Sequence, residues 1–247
     1  MTLTGQATGH TGEPWSALVD AASAPYRKVD RFAWGFARGK LGLDPVFRHL
    51  MSQGLIAPQA RVLDIGCGQG LLANLLRACT VLAQQGRWPG GWAAAPTETR
   101  VTGIELRARD VARAKASFDG SAEFVCGDMR HTPFPEADTV VLLDVLHYIS
   151  VPEQNEVLAR VRRALPANGC LLLRVGDASA RRRFLFSTWV DAVVARLRGC
   201  RVQQSGRSLA EWTAQLEALG FAVRSQPMGQ GTPFANVLLV AKVETTT

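Results

Sequence analysis

From residue 58 onward, short apolar runs alternate with longer stretches whose apolar residues recur at helical spacing. The apolar runs predict β-strands near 61–65, 101–105, 122–126, 138–144 and 170–175. The stretches between them predict helices near 70–82, 107–117 and 152–165. Strands that alternate with helices in this way form an α/β domain with a parallel sheet.

The amino-terminal part of the chain has a different pattern. Residues 1–14 are rich in Thr and Gly and lack periodic apolar residues, which predicts a disordered tail. Residues 15–57 show helical spacing with breaks at Pro25 and between Gly42 and Pro45. We therefore expect a separate group of helices before the sheet begins.

Two insertions interrupt the alternation. Residues 83–100 are too rich in Gly and Pro for a helix and too apolar for an ordinary linker. They connect a helix to the strand after it, and such connections lie at the edge of the sheet where strands begin. Ligands bind at the opposite edge, so Trp88 and Trp92 are interpreted as packing or oligomer contacts. The second insertion, residues 177–207, follows the fifth strand.

The first strand ends in an acid and leads into a glycine-rich loop. Asp64 is followed by Gly66, Gly68 and Gly70 at every second position. Glycines permit positive φ angles and let the backbone approach a ligand closely. A dinucleotide loop has the spacing G-x-G-x-x-G and faces a pyrophosphate, whereas the carboxylate here suits a cationic ligand.

Two further carboxylates end predicted strands. Glu105 ends the second strand, where an acidic residue accepts hydrogen bonds from ribose hydroxyls in Rossmann-type sheets, and Asp128 ends the third. Either acid alone would more often be a helix cap or a solvated loop residue. In register with the glycine loop, the acids together indicate a nucleoside-cofactor site.

These motifs resemble those of class I S-adenosylmethionine (SAM)-dependent methyltransferases, over roughly residues 58–243. The resemblance implies a Rossmann-like, mostly parallel seven-stranded sheet with helices on both faces. The runs at 221–225 and 236–243 would form its closing antiparallel hairpin. It also implies SAM as cofactor, with residues 58–247 as the binding domain and Asp128 and Met129 at the adenine. The expected cofactor residues are Asp64, Gly66, Cys67, Gly68, Gly70, Glu105, Leu106, Asp128, Met129, Asp144 and Val145.

The segment after the fourth strand carries the candidate catalytic residue. Asp144 and His147 leave the sheet at the edge where the cofactor is expected. A hydroxyl, phenol or carboxyl acceptor must lose a proton, and histidine is the usual base near neutral pH. His147 is thus the candidate general base, with a cap, a pocket wall or a cofactor contact as alternatives.

The amino-terminal helices carry aromatic and basic side chains. In the resembling family, helices of this kind form a lid over the cofactor and part of the acceptor pocket. This implies that residues 15–57 are such a lid and that Tyr26 and Trp34 contact the acceptor, together with Tyr148 from the segment after the fourth strand. The alternative is that these aromatics only attach the helices to the core.

The net charge of +7 is concentrated near the carboxyl terminus, where the segment 181–207 is rich in Arg. Arg181, Arg182 and Arg183 could belong to a solvated helix, a docking face for an acidic carrier protein, or a surface that touches anionic lipid. A looser similarity to bacterial methyltransferases of aryl polyene or fatty-acid-like biosynthesis favours a lipophilic or carrier-bound acceptor.

Other function classes are less well supported. Methyltransferases that act on base nitrogens commonly have an Asn/Asp-Pro-Pro-aromatic motif after the fourth strand, which this chain lacks, so nucleic acid is disfavoured. A non-catalytic SAM-binding module and a dinucleotide oxidoreductase remain alternatives. The five cysteines lack a C-x-x-C pair, and no signal peptide or membrane span is expected, so we predict a cytoplasmic protein without a metal site.

Overall fold

The computed structural model describes residues 14–120, 122–176, 207–228 and 236–244. Outside these residues lie the predicted disordered segment, nearly all of the second insertion with Arg181, Arg182 and Arg183, and residues 229–235. In the described part of the chain, every helix is too short or too polar to cross a membrane.

Seven strands form one sheet, and their bounds lie close to the predicted ones. They are β1 Arg61–Ile65, β2 Arg100–Glu105, β3 Glu123–Cys126, β4 Thr139–Leu143, β5 Cys170–Gly176, β6 Phe221–Pro227 and β7 Asn236–Val243. Their order across the sheet is β3-β2-β1-β4-β5-β7-β6. The first five are parallel, whereas β7 pairs antiparallel with β5 and β6, so the predicted Rossmann-like sheet with a closing hairpin is confirmed.

The helices that surround this sheet also match the periodic stretches of the sequence. They are α1 Pro14–Ser23, α2 Arg31–Leu43, α3 Pro45–Ser52, α4 Leu71–Gln84, α5 Ala108–Ser117, α6 Val151–Ala164 and α7 Leu209–Ala218. Short 3₁₀ helices lie at Ala24–Lys28 and Leu146–Tyr148.

Strand alternation divides the core into two layers. Val62 of β1 packs with α1 to α5, and its neighbour Leu63 packs on the other face with α6 and α7. Successive strand residues point to opposite faces, so both faces of an apolar strand are buried. The amino-terminal helices thus share one core with the sheet.

Aspartates cap two of the amino-terminal helices. Asp30 precedes α2 and accepts a hydrogen bond from Ala33 N, and Asp44 precedes α3 and accepts one from Val46 N. A carboxylate at this position satisfies an otherwise unpaired amide of the first turn. The predicted break between Gly42 and Pro45 is therefore the junction of α2 and α3.

The first insertion packs against the amino-terminal helices. The Trp92 ring lies 6.2 Å from the Trp15 ring and 5.5 Å from the Trp88 ring between centroids. Ala93 N donates to Ser52 O at the end of α3. This supports the packing interpretation of Trp88 and Trp92.

Candidate active site

The glycine-rich loop between β1 and α4 adopts backbone conformations that favour glycine. Gly66 and Gly68 have φ angles of 80° and 55°. A Cβ atom added to Gly66 would lie 2.2 Å from Val145 Cγ1, so the segment after β4 packs directly on the loop. Around Gly68 no atom lies within 4 Å of such a Cβ, which leaves room beside the backbone.

Glu105 lies against this loop. Its Oε2 accepts a hydrogen bond from Gly68 N at 3.1 Å, and its Oε1 accepts one from Arg107 N at 2.9 Å. A carboxylate oxygen has more than one acceptor position, so these bonds leave capacity for ligand hydroxyls. Leu106, the next residue, exposes 60% of its surface at the same edge.

Asp64 is buried at the end of β1. Burial, followed by the charge of Glu105, raises the pKa of Asp64 to about 7. Burial also raises the pKa of the Cys67 thiol. A cation beside Asp64 would favour its ionised form, since opposite charges stabilise each other in a poorly solvated site.

Asp128 is held by an arginine that the sequence analysis missed. Both Asp128 oxygens accept hydrogen bonds from Arg130, whose Nη1 also donates to Glu153 Oε1 at 2.8 Å. The Arg130 contact lowers the pKa of Asp128. Two-residue spacing between an Asp and an Arg is a local signal that could have suggested this pair. A contact between Asp128 and adenine stays a prediction.

Met129 is fixed through its backbone. Arg160 Nη1 in α6 donates to Met129 O at 2.8 Å, and the Arg160 guanidinium lies 4.1 Å from the Phe134 ring centroid. The side chain of Met129 packs against the α6 side of the core. The segment that follows β3 is therefore attached to α6 through Arg160.

Asp144 forms an ion pair that was also missed. It has a left-handed backbone conformation, with φ of 59°, and accepts a hydrogen bond from Arg174 Nε at 2.9 Å. Arg174 is 2% exposed and also binds Asp44 at the α2–α3 junction. The sequence signal for this pair was Arg174 itself, a charged residue within the apolar run 170–175.

His147 lies in the 3₁₀ helix that follows Asp144 and Val145. Its ring centroid is 4.1 Å from that of Tyr148, and both side chains are half-buried. Gln154 Nε2 donates to Leu146 O at 3.0 Å and fixes this turn to α6. The sheet places His147 at the edge where Asp64 and Glu105 end their strands.

Tyr26 and Trp34 belong to the amino-terminal helical segments, and Tyr26 contacts the glycine-rich loop. Tyr26 is fully buried, and its hydroxyl donates to Gln69 O at 2.8 Å and accepts from Asn74 Nδ2 at 3.0 Å. Trp34 is half-buried, with the Arg27 guanidinium 5.2 Å from its ring centroid. Tyr26 thus stabilises the glycine-rich loop through its bond to Gln69 O. The acceptor contacts of Tyr26 and Trp34 stay predictions.

A family model described as a methyltransferase domain matches residues 21–226. The chain belongs to this methyltransferase family. The resemblance seen in the sequence is confirmed, and SAM is the cofactor that the family uses.

Curated relatives and a solved structure agree with the family. This methyltransferase is 36% identical to the N,N-dimethyltransferase OxyT of Streptomyces rimosus over 43% of its length and 30% of OxyT. It is 31% identical to a carboxy-S-adenosyl-L-methionine synthase of Chromohalobacter salexigens over 49% of its length and 43% of that protein. The chain thus spans less than half the length of either relative.

An O-methyltransferase family protein from Burkholderia thailandensis has a similar fold. The TM-score is 0.61 at 20% identity, over 90% of this methyltransferase and 63% of that chain. At this level of identity the likeness concerns the fold alone.

The site of this methyltransferase fits SAM in chemical type. The buried Asp64 suits a cation, Glu105 has acceptor capacity for hydroxyl groups, and the backbone at Gly68 has free space beside it. None of these features requires a phosphate. Cofactor contacts of individual residues stay predictions.

Proposed function

We propose that the protein transfers the methyl group of SAM to an oxygen of a small or lipophilic acceptor, either a hydroxyl, a phenol or a carboxyl group. The observation that carries the proposal is the meeting of Asp64, Glu105 and the His147 turn at one sheet edge around the glycine-rich loop. When bound, SAM supplies a methyl group already activated on a sulfonium. The protein must orient the acceptor and exclude water.

His147 has the proton-transfer role in this proposal. The acceptor O–H would donate to an imidazole nitrogen, and His147 would take the proton when the acceptor oxygen is methylated, with the methyl carbon released from the sulfonium sulfur, which is left as a neutral thioether. Its neighbours support such a role because Gln154 fixes the turn and Arg174 holds Asp144. The half-buried Tyr148 and Trp34 are proposed to line the acceptor pocket, under a lid formed by residues 15–57.

An amine acceptor is the second candidate, because the relative OxyT is described as an N,N-dimethyltransferase. A neutral amine already has a lone pair, so attack on the methyl group needs no prior proton removal. A general base is then less important, which separates this candidate from oxygen methylation.

A carrier-bound acyl acceptor is a narrower form of the proposal. It rests on the arginine-rich sequence at Arg181, Arg182 and Arg183, which an acidic carrier protein or anionic lipid would complement. Such docking would weaken as salt rises, because screening shortens the range of charge attraction.

The test uses SAM with an isotopically labelled methyl group and a small-molecule extract, in which labelled products are identified by mass spectrometry. We expect a labelled product in which the methyl group is bonded to oxygen. Cofactor binding without any labelled product over a broad acceptor panel would contradict the proposal and favour a non-catalytic SAM-binding module.

The His147→Ala variant distinguishes the two acceptors. Oxygen methylation should lose about a hundredfold in turnover with cofactor affinity unchanged, because this is the usual contribution of a general base. His147→Gln, which keeps polar bulk but does not titrate in this range, should show the same loss. Turnover within a few-fold of the parent in both variants, with an unchanged pH profile, would exclude the base role.

A further inference from the structure

Arg174 joins three parts of the chain that are distant in sequence. It lies on β5, where its backbone carbonyl accepts a hydrogen bond from Asp144 N. Its guanidinium donates to both carboxylate oxygens of Asp144 and to both of Asp44. With 2% exposure, it is almost completely excluded from water.

The charges around Arg174 are balanced. Asp44 also forms an ion pair with Lys40, with 2.7 Å between Nζ and Oδ2, so two cations face two carboxylates. Hydrogen bonds to Arg174 and the charges of Arg174 and Lys40 lower the pKa of Asp44 to about 2 against the opposing effect of burial. Asp44 is therefore ionised near neutral pH.

At its Asp144 end, the network holds the first residue of the turn at residues 144–149, which contains His147. Asp144 has a left-handed φ of 59°, which aspartate adopts more readily than most residues other than glycine, and Arg174 binds both of its carboxylate oxygens. The chain then places Val145 against Gly66 and His147 one turn later. The Asp44 end caps α3 at the α2–α3 junction.

We propose that Arg174 is a positioning residue that couples the α2–α3 junction to the turn at 144–149, so that the amino-terminal helices and the candidate catalytic turn are held as one unit. The functional meaning of the turn rests on the function proposed above. The mechanical coupling itself does not.

Asp44→Asn tests the coupling, and Asp30→Asn is its matched control. Asparagine is as good an N-cap as aspartate, so each change removes a charge but keeps the cap. Asp30 also caps a helix and pairs with an arginine, Arg113 of α5, but has no contact with Arg174 among its described bonds. The measurement is amide hydrogen exchange of the unliganded protein.

We expect Asp44→Asn to accelerate exchange at residues 144–149 by about tenfold or more, since a buried ion pair that loses one partner leaves an uncompensated charge. Asp30→Asn should leave exchange in this turn unchanged. Equal exchange in the turn for the two variants would overturn the proposal.

Removal of all charges except that of Lys40 gives a second test. Arg174→Met alone leaves Asp44, whose side chain is 10% exposed, and the partly exposed Asp144 without their shared cation and can prevent folding, whereas the triple change with Asp44→Asn and Asp144→Asn removes both charges together. We expect this triple variant to fold and still to exchange rapidly at 144–149. Parent-like exchange in a folded triple variant would contradict a positioning role.

A SAM titration of the same proteins keeps the two proposals separate. Absence of binding in the parent protein would contradict the proposed function and leave the exchange comparison valid. Binding in the parent with equal exchange in Asp44→Asn and Asp30→Asn would contradict the coupling alone.

Discussion

Asp64 is a buried carboxylate whose protonation should control cofactor affinity. Its pKa is raised to about 7, chiefly by burial. A positively charged cofactor should favour the ionised form, so SAM affinity should rise as pH increases through about 7 and fall below it. Isothermal titration over this range should show that slope in the parent protein and a weaker, flatter profile in Asp64→Asn. The same dependence of SAM affinity on pH in both proteins would contradict this role of Asp64.

The same shift affects stability without ligand. Because the folded-state pKa of Asp64 lies above the unfolded value of about 3.9, the folded protein binds more protons between these values. The contribution of Asp64 to stability should therefore decrease as pH rises from about 4 to about 7. The free energies of unfolding of the parent and of Asp64→Asn, measured by chemical denaturation, should diverge across this pH interval.

Glu105 contacts the glycine-rich loop directly, and its loss should weaken SAM binding. Glu105→Ala removes the charged acceptor proposed for the ribose hydroxyls, at a cost of about 1.5 to 3 kcal/mol, or roughly ten- to hundredfold in affinity. Glu123→Gln, an exposed change at the opposite end of the sheet, is the control and should bind normally. Parent-like affinity of Glu105→Ala would remove the ribose assignment.

At the scale of elements, the 3₁₀ helix Ala24–Lys28 contacts the glycine-rich loop through Tyr26. Tyr26→Phe removes the hydroxyl that donates to Gln69 O in the core, whereas Asn74 keeps Gly70 O and Ser117 Oγ as acceptors, and the loss should cost about 1–3 kcal/mol of stability and weaken SAM binding. Ser117→Ala removes a hydroxyl that contacts both Asn74 and Tyr26 but keeps the Tyr26 hydroxyl that donates to Gln69 O. It should lower stability only. Equal SAM affinity of the two variants would show that the helix does not support the loop.

Most element bounds could be predicted because their signals are local. Strand β1 and the hairpin strand β7 have apolar runs of the observed length, and α3 begins at Pro45 after its Asp44 cap. Glycine spacing and strand-end acids also suggested which residues share the sheet edge. These features need only a window of a few residues.

The contacts that complete the site could not be predicted in this way. Arg174 and Asp44 are 130 positions apart, and Tyr26 and Gln69 are 43 apart. No periodicity or capping motif links such pairs, because their contact depends on how helices pack on the sheet. The resemblance implied an acceptor contact for Tyr26, which stays a prediction, but no sequence signal indicated the bond from its hydroxyl to Gln69 O.

At the scale of the whole molecule, the seven-stranded sheet places the glycine-rich loop, the strand-end acids and the His147 turn at one edge. The amino-terminal helices share the core on one face of the sheet and are joined to this edge through Tyr26 and Asp44. The fold, the family and the chemistry of the edge are consistent with a cationic nucleoside cofactor. The spacing of Gly66, Gly68 and Gly70 differs from the G-x-G-x-x-G spacing that is typical of dinucleotide loops.

A competitive calorimetric titration of the full chain with SAM and with NAD tests this most directly. We predict saturable SAM binding with one site and a dissociation constant on the order of micromolar, no heat from NAD, and no effect of NAD on SAM binding. Saturable NAD binding with no SAM binding would contradict the proposed methyl transfer and favour an oxidoreductase.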